Sequence, residues 1–371
     1  MPCIVSISPP GWIWRCLNPI WPEHKNYLPY NQNLMNPFPF VPEEIIKDYA
    51  AKNNRDVDTV KVQKILKRPL SVVARVHVRL ADQATETVYL KYYRSLPGKD
   101  MAEVVQRDFD TSLFWWERFK QSERFNVIEP LYVDVVNHVM LTRESKGDDI
   151  QTYLNKSGHL FGTFDDKDKI MEMMRLCGGW LRYFQDIPVD AGEENRITLE
   201  YLLDYINLRM DRIVEKTHIG FDAALQEKVN RYLRDQWARM DAGDNTISYL
   251  HSDFSLSNVL FDEKGVTVLD FTKKETGSVY KDLTRFFHQL ILLSYKPSFK
   301  KAFVNEMQRQ FLQGYGDGAV HEKPLFRIFL MIHVINHLGK SARFWEQSTR
   351  GKLYNRWVVY NVMKRIKKAV A

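Results

Sequence analysis

Residues 248–271 read SYLHSDFSLSNVLFDEKGVTVLDF, and how they fold decides the architecture. Two short apolar segments, NVLF from Asn258 and VTVLDF ending at Phe271, flank the turn DEKG. Gly265 is free to take a positive φ there, so the pattern predicts a tight hairpin. That hairpin sets Asn258 beside Asp270, twelve residues further on. An amide and a carboxylate converging at its mouth make a hard-oxygen site for Mg²⁺, which takes few protein ligands and completes its octahedron with water and phosphate oxygens.

Asp253 lies on the loop entering the hairpin, five residues before Asn258, where it faces a substrate hydroxyl instead of the metal. This division of labour is that of phosphoryl transfer. One Asp orients and deprotonates the acceptor, while an Asn and a second Asp hold the metal that bridges the phosphates. His251 is expected to brace the loop by hydrogen bonding to backbone near Asp270. Singly, each residue has a plainer reading, since a loop His is usually a satisfied structural group and an Asp or Asn at a turn usually caps backbone. The four together carry the functional reading.

Outward from the hairpin, the chain divides by texture. From about Lys61 it is β: SVVARVHVRL (71–80) and TVYLKYYR (87–94) predict two antiparallel strands, with Lys91 in the second. A Pro97-Gly98 break precedes a helix from Met101 to Lys120, whose stripe Val105, Phe109, Leu113, Trp116 and Phe119 predicts the buried face. VIEPLYVDVV and HVMLT then predict a second strand pair around the Asn137 turn. Beyond Gly147 the period is helical, marked by Ile170, Met173, Cys177, Leu181 and Phe184, by Leu202, Ile206, Met210 and Ile213, and by Leu225, Val229, Tyr232 and Trp237. Further helices are expected near 283–293, 300–312 and 325–338. Residues 1–40 show no period and predict an irregular arm, with Trp12, Trp14 and Trp21 expected to pack.

Composition bounds the rest. At 371 residues the chain exceeds a single core, so two lobes are expected. With 44% hydrophobic and 27% charged residues it reads as soluble and globular, without an apolar run of the ~18 residues a span needs. The start MPCIVSISPPGWIWRC lacks a basic leader, so export is not expected. Cys3, Cys16 and Cys177 are scattered and odd in number, which suits a reduced compartment and structural thiols. The net charge of +7 and pI near 9.0 favour anionic partners. It is concentrated locally in KRIKKAVA, a solvated terminal helix or else one that contacts an acidic membrane surface. No stripe of interleaved Arg and aromatic residues suggests nucleic acid.

HSDFSLSNVLF followed by LDFTKKETGSVYKDLTRF resembles the catalytic core of the aminoglycoside phosphotransferase family, relatives of choline kinase within the protein-kinase-like fold. The matching positions are His251, Asp253, Asn258, Asp270 and, in YKDL, Asp282. The resemblance, which extends from about residue 61 to residue 340, implies an α+β, two-lobed protein-kinase-like fold, with a small β-rich, nucleotide-binding N-lobe (41–145) and a larger, mostly helical C-lobe (146–371) that carries the catalytic loop and acceptor site; the arm (1–40) lies outside it. It implies Lys91 as the strand lysine that reaches the α- and β-phosphates, paired with Asp108 or Glu103 on the next helix. It also implies HVMLTRES as the hinge strand, with Thr142 to Glu144 offering backbone groups to the base.

Two departures stand out. KRPLSVVAR has no glycine where protein kinases carry a Gly-rich loop, so Ser71 either touches the phosphates or merely opens a strand. Ser255 stands where the family often has a cation that would neutralise the moving phosphoryl group. Asp282 reads as a helix N-cap, structural before chemical. The expected function is a cytoplasmic, ATP- and Mg²⁺-dependent phosphotransferase acting on a hydroxyl of a small-molecule or glycan-like acceptor. A nucleotide-binding scaffold without turnover is the alternative.

Overall fold

The computed structural model describes residues 28–29, 37–158, 164–190, 197–216, 218–342 and 349–371. Trp12, Trp14, Trp21, Cys3 and Cys16 lie outside them. In chain order the first half runs β1 (Leu28–Pro29), α1 (Pro42–Lys52), β2 (Val57–Lys67), β3 (Ser71–Leu80), β4 (Thr85–Tyr93), α2 (Met101–Phe119), β5 (Phe125–Val127), β6 (Pro130–Asp134), β7 (Val139–Arg143) and β8 (Asp148–Asp149).

The β-branched alternation of β3 buries every second residue, which a two-faced sheet requires. The sheet is six-stranded, in the order β1-β2-β3-β4-β7-β6, with antiparallel neighbours throughout. Val72, Ala74, Val76, Val88 and Leu90 pack on one face with Ile45, Ile46 and Tyr49 of α1. On the other, Tyr93 and Met140 meet Met101, Val104 and Val105 of α2. Lys91 alternates with Leu90 and so projects from this second face.

Three expectations change here. Residues 28–29 pair with Lys64 and Ile65 of β2, so the arm contributes an edge strand instead of being irregular throughout. Helix α1 was not expected, although Pro42 at its first turn and Glu43 and Glu44 beside it are start signals. VIEPLYVDVV is not one strand: β5 runs parallel to a C-lobe strand, Pro130 opens β6, and only β6 pairs with β7.

The buried face of α2 also turns relative to the expected stripe. It comprises Met101, Val104, Val105, Asp108, Thr111, Ser112, Trp115 and Phe119, while Leu113 faces out. Trp115 and Phe119 reach the C-lobe core, whereas Met101 to Val105 stay under the N-lobe sheet. The helix therefore joins the lobes.

The second half runs α3 (Ile150–Ser157), α4 (Lys167–Gln185), α5 (Leu199–Lys216), α6 (Ala223–Ala238), β9 (Ile247–Leu250), β10 (Val259–Asp262), β11 (Gly265–Val268), β12 (Glu275–Ser278), α7 (Tyr280–Leu293), α8 (Lys301–Tyr315), α9 (Pro324–Ser341) and α10 (Thr349–Ala369). The periodic residues of α4 and α5 are all buried, as their spacing predicts. Around them β10 and β11 form the expected hairpin, flanked by β8 and β5, and β12 pairs with β9. Gly265 takes φ +136°, and a Cβ there would collide with the Arg124 carbonyl. Among the described residues no helix is long and apolar enough to cross a membrane.

Candidate active site

The hairpin register pairs Val259 with Val268, so Asn258 and the Leu269-Asp270 segment leave its open end together. The Leu269 amide donates to the Asn258 carbonyl at 2.9 Å, which fixes the convergence in backbone. Asn258 is buried and its Nδ2 donates to the Asp253 carbonyl (3.0 Å) and to Asp253 Oδ2 (3.1 Å). With Nδ2 so engaged, Oδ1 is the atom that Asn258 offers a cation.

Asp253 is held on a loop with backbone partners on both sides. His251 Nε2 hydrogen-bonds the Leu269 carbonyl at 2.9 Å, and the Asp253 amide donates to His251 Nδ1 at 3.2 Å. This pair requires the Nε2–H tautomer. His251 thus braces the loop in the manner expected, buried and one residue from Asp270's peptide. Asp282 is fully buried and accepts the amides of His251 (2.6 Å) and Ser252 (2.9 Å). It is not an N-cap, because α7 begins at Tyr280 with Val279 at the cap position. Its role is structural, yet it secures the loop of His251 and Ser252 rather than its own helix. Burial pushes its pKa up, opposed by His251 and Lys281.

Lys91 Nζ reaches Asp270 Oδ1 at 2.8 Å across the cleft. Burial alone would lower the Lys91 pKa, but the Asp270 carboxylate beside it raises it. Asp270 is held well below the carboxylate range, first by Lys91, against burial and with help from Arg68. Asp270 also takes φ +63°, a backbone cost that a carboxylate locked between two cations sustains. Of the two acidic candidates on α2, Asp108 is buried and adds to the field on Lys91, whereas Glu103 is exposed at the first turn. The rotated buried face of α2 makes that distinction.

Ser71 is buried at the start of β3 and paired with Tyr93, on the sheet face that carries Lys91. Thr142 pairs with Tyr89 and also lies on that face. Glu144 departs from expectation. Its amide donates to the Thr87 carbonyl and the Arg143 amide to the Glu129 carbonyl, so neither N–H is left for a base. The Glu144 carboxylate instead pairs with Arg75 at 2.6 Å. Just beyond, Gly147 takes φ +97° with its α-carbon packed on the Phe261 carbonyl, a close approach that excludes a side chain.

Two arginines escaped the sequence reading. Arg68, in the turn between β2 and β3 where a Gly-rich loop would sit, lies 3.7 Å from Asp270 Oδ2. Arg285, one turn into α7, pairs with Asp253 Oδ1. Ser255 is buried and contacts Ser257, and the cation that pairs with Asp253 is the Arg285 guanidinium from α7. Arg285 follows Asp282 by three residues, one helical turn, so both project from the face of α7 that meets the loop.

A cavity of about 190 Å³ borders the same loop, lined by Tyr201, Tyr205, Leu250, Glu275, Lys281 and Phe329 among others. Leu250 precedes His251, and Ser252 Oγ donates to Glu275 at 2.6 Å. Glu275 is flanked by Lys273 (2.7 Å) and Lys281 (3.1 Å). Burial would raise its pKa, but these lysines and Ser252 hold it low.

The donor set tests the expected cofactors. Among the described residues there is no cluster of three or more His, Cys, Asp or Glu able to hold a metal by itself. One carboxylate and one amide oxygen beside two cations instead fit a hydrated Mg²⁺ that arrives with phosphates.

Residues 151–324 match the model of the phosphotransferase enzyme family. No match was found among curated protein sequences. Among solved structures, the chain is similar to the amicoumacin kinase hAmiN in complex with AMP-PNP, Ca²⁺ and Ami, at 12% identity and TM-score 0.53, covering 89% of this chain and 94% of that one. It is similar to the streptomycin-ATP ternary complex of APH(2")-IIa at 15% identity and TM-score 0.51, covering 88% and 97%. An ethanolamine kinase of Plasmodium vivax is similar at 12% identity and TM-score 0.51, covering 85% and 84%. At such identities these likenesses establish the fold. The resemblance read from the catalytic loop therefore holds: the chain has the two-lobed protein-kinase-like fold, and its C-lobe carries the match to the phosphotransferase enzyme family.

Proposed function

We propose that the protein is an ATP-dependent phosphotransferase that moves the γ-phosphate to a hydroxyl of a small-molecule or glycan-like acceptor. The observation that carries this reading is the meeting of Lys91 with Asp270 at 2.8 Å, beside a loop that presents Asp253 and Asn258 together. Lys91 and Arg68 would pair with the triphosphate, while Asp270 and Asn258 Oδ1 would hold Mg²⁺. Bound Mg²⁺ supplies charge neutralisation across the β- and γ-phosphates. Asp253 takes the proton of the acceptor hydroxyl as its oxygen bonds to the γ-phosphorus and the bond to the bridging oxygen of ADP breaks. His251 and Asp282 hold Asp253 in place. Arg285 stands where it can share the charge of the transferring group.

The cavity beside the loop fits the acceptor. Aromatic walls and an acid flanked by two lysines favour a neutral or anionic acceptor with an apolar or ring-like body over a polycation. A cytoplasmic setting, where ATP and Mg²⁺ are abundant, belongs to the same proposal. The nucleotide-binding scaffold has one observation in its favour, because Arg285 competes with a substrate hydroxyl for Asp253 Oδ1. A screen of hydroxyl acceptors that monitors ADP release, run on the wild type and Asp253→Ala, separates them. Acceptor-dependent release abolished in Asp253→Ala supports the enzyme, and nucleotide binding without release from any acceptor rejects it.

A further inference from the structure

Between Arg350 and Ala371 the sequence holds seven Lys and Arg and no Asp or Glu. Without them, the remaining 46 basic residues balance the 46 acidic ones, so the net charge of +7 equals that of this one segment. The segment is α10, and its two faces differ. Val358, Val359, Val362, Met363 and Ile366 are buried against the C-lobe. Leu353, Trp357 and Tyr360 are 64%, 50% and 58% exposed. At ~100° per residue, these three share one outward stripe, roughly 120° wide, with Arg356, Lys364, Lys367 and Lys368. All four of those basic residues are exposed as well.

Trp357 and Tyr360 stack with ring centroids 5.9 Å apart, forming one apolar band. The Trp357 indole N–H donates to the Tyr295 carbonyl at 3.0 Å, which fixes the ring at half-exposure. We infer that α10 is a docking surface for an anionic lipid bilayer, with Leu353, Trp357 and Tyr360 entering the interfacial layer and the basic residues contacting acidic headgroups. Indole and phenol rings suit that boundary because one end is apolar and the other wet. Clustered Lys and Arg beside them draw on the negative surface potential. A second copy of the chain is disfavoured by like charge. A nucleic acid would meet mutually stacked rings and an aliphatic side chain in place of open platforms for its bases. Tyr295 follows α7, whose first turn holds the catalytic loop, so the docking face and that loop sit at opposite ends of a 14-residue helix about 20 Å long.

Sedimentation of the full chain with phosphatidylcholine vesicles, with and without phosphatidylglycerol, tests this. The expected result is pelleting with the anionic vesicles alone, weakened by added salt. The combined change Lys364→Glu, Lys367→Glu and Lys368→Glu is expected to weaken binding by more than about tenfold without lowering the melting temperature, since all three residues are exposed. The pair Leu353→Ser and Tyr360→Ser is expected to remove the salt-resistant part of the binding. Absence of pelleting, equal pelleting of wild type and the charge-reversed variant, or tighter binding to poly-uridylate than to vesicles at the same salt would each overturn the inference. Nothing about this face depends on the chemistry in the cleft, so the two readings fail separately.

Discussion

On the C-lobe side of the cleft, Asp253 is surrounded by short-range partners. His251 bonds the backbone on either side of it, Asp282 takes two amides of its loop, and the Leu256 amide donates to Gln289 of α7. On the N-lobe side, Lys91 and Arg68 reach the same centre by side-chain ion pairs to one carboxylate, Asp270. The first wall is built from buried hydrogen bonds and keeps its geometry without ligand. The second is built from long side chains that can change partner when a triphosphate arrives. The proposed phosphoryl transfer would call for this asymmetry, because a base must be preorganised while a nucleotide must enter and leave.

The largest effect expected from this contrast is at Asp253. Asp253→Ala should lower turnover by ~10²–10⁴-fold while nucleotide affinity and melting temperature hold, as single-turnover assays and calorimetry would report. Equal loss of binding and turnover would mean that Asp253 belongs to the nucleotide wall. Next, Lys91→Met should weaken nucleotide binding by ~10–100-fold, the loss of a charge-assisted contact, with a modest fall in melting temperature because Asp270 loses the cation that holds its pKa low. A large fall in stability would show that the N-lobe wall is structural after all.

Asp282→Asn should act on the braced wall in the opposite way. An amide cannot accept from both loop amides, so ~1–3 kcal/mol of stability should be lost in denaturant unfolding. Turnover should fall while nucleotide affinity is kept.

The smallest effect is at Lys296, buried at the far end of α7. Burial lowers its pKa from 10.5 to about 8. The unfolded chain therefore binds more protons than the folded one between these values, so stability rises with pH across that window and the penalty is complete below pH 8. Lys296→Met should raise the melting temperature at pH 7, with the gain shrinking toward pH 10.5.

What was legible in the sequence follows from range. The hairpin, His251, Asp253, Asn258 and Asp270 fall within twenty residues, and turn chemistry plus alternation sufficed to bring them together. Lys91 was legible through the family resemblance, which assigns a lysine at its place in the second strand. Arg68 acts on a residue some two hundred positions away, and Arg285 acts from a helix whose rotation local pattern does not fix. The same limit explains α2: its three- and four-residue spacing fits two neighbouring stripes, and packing against both lobes selects the one containing Asp108. For Glu144, the sheet claimed an amide that the motif alone would leave open.

The central claim is that Asp270, locked between Lys91 and Arg68, holds the metal-nucleotide complex. Calorimetric titration of ATP into the wild type and Asp270→Asn, each with and without Mg²⁺, tests it most directly. Mg²⁺ should strengthen ATP binding to the wild type, and Asp270→Asn should abolish that strengthening. Equal Mg²⁺ dependence in both proteins would contradict the claim.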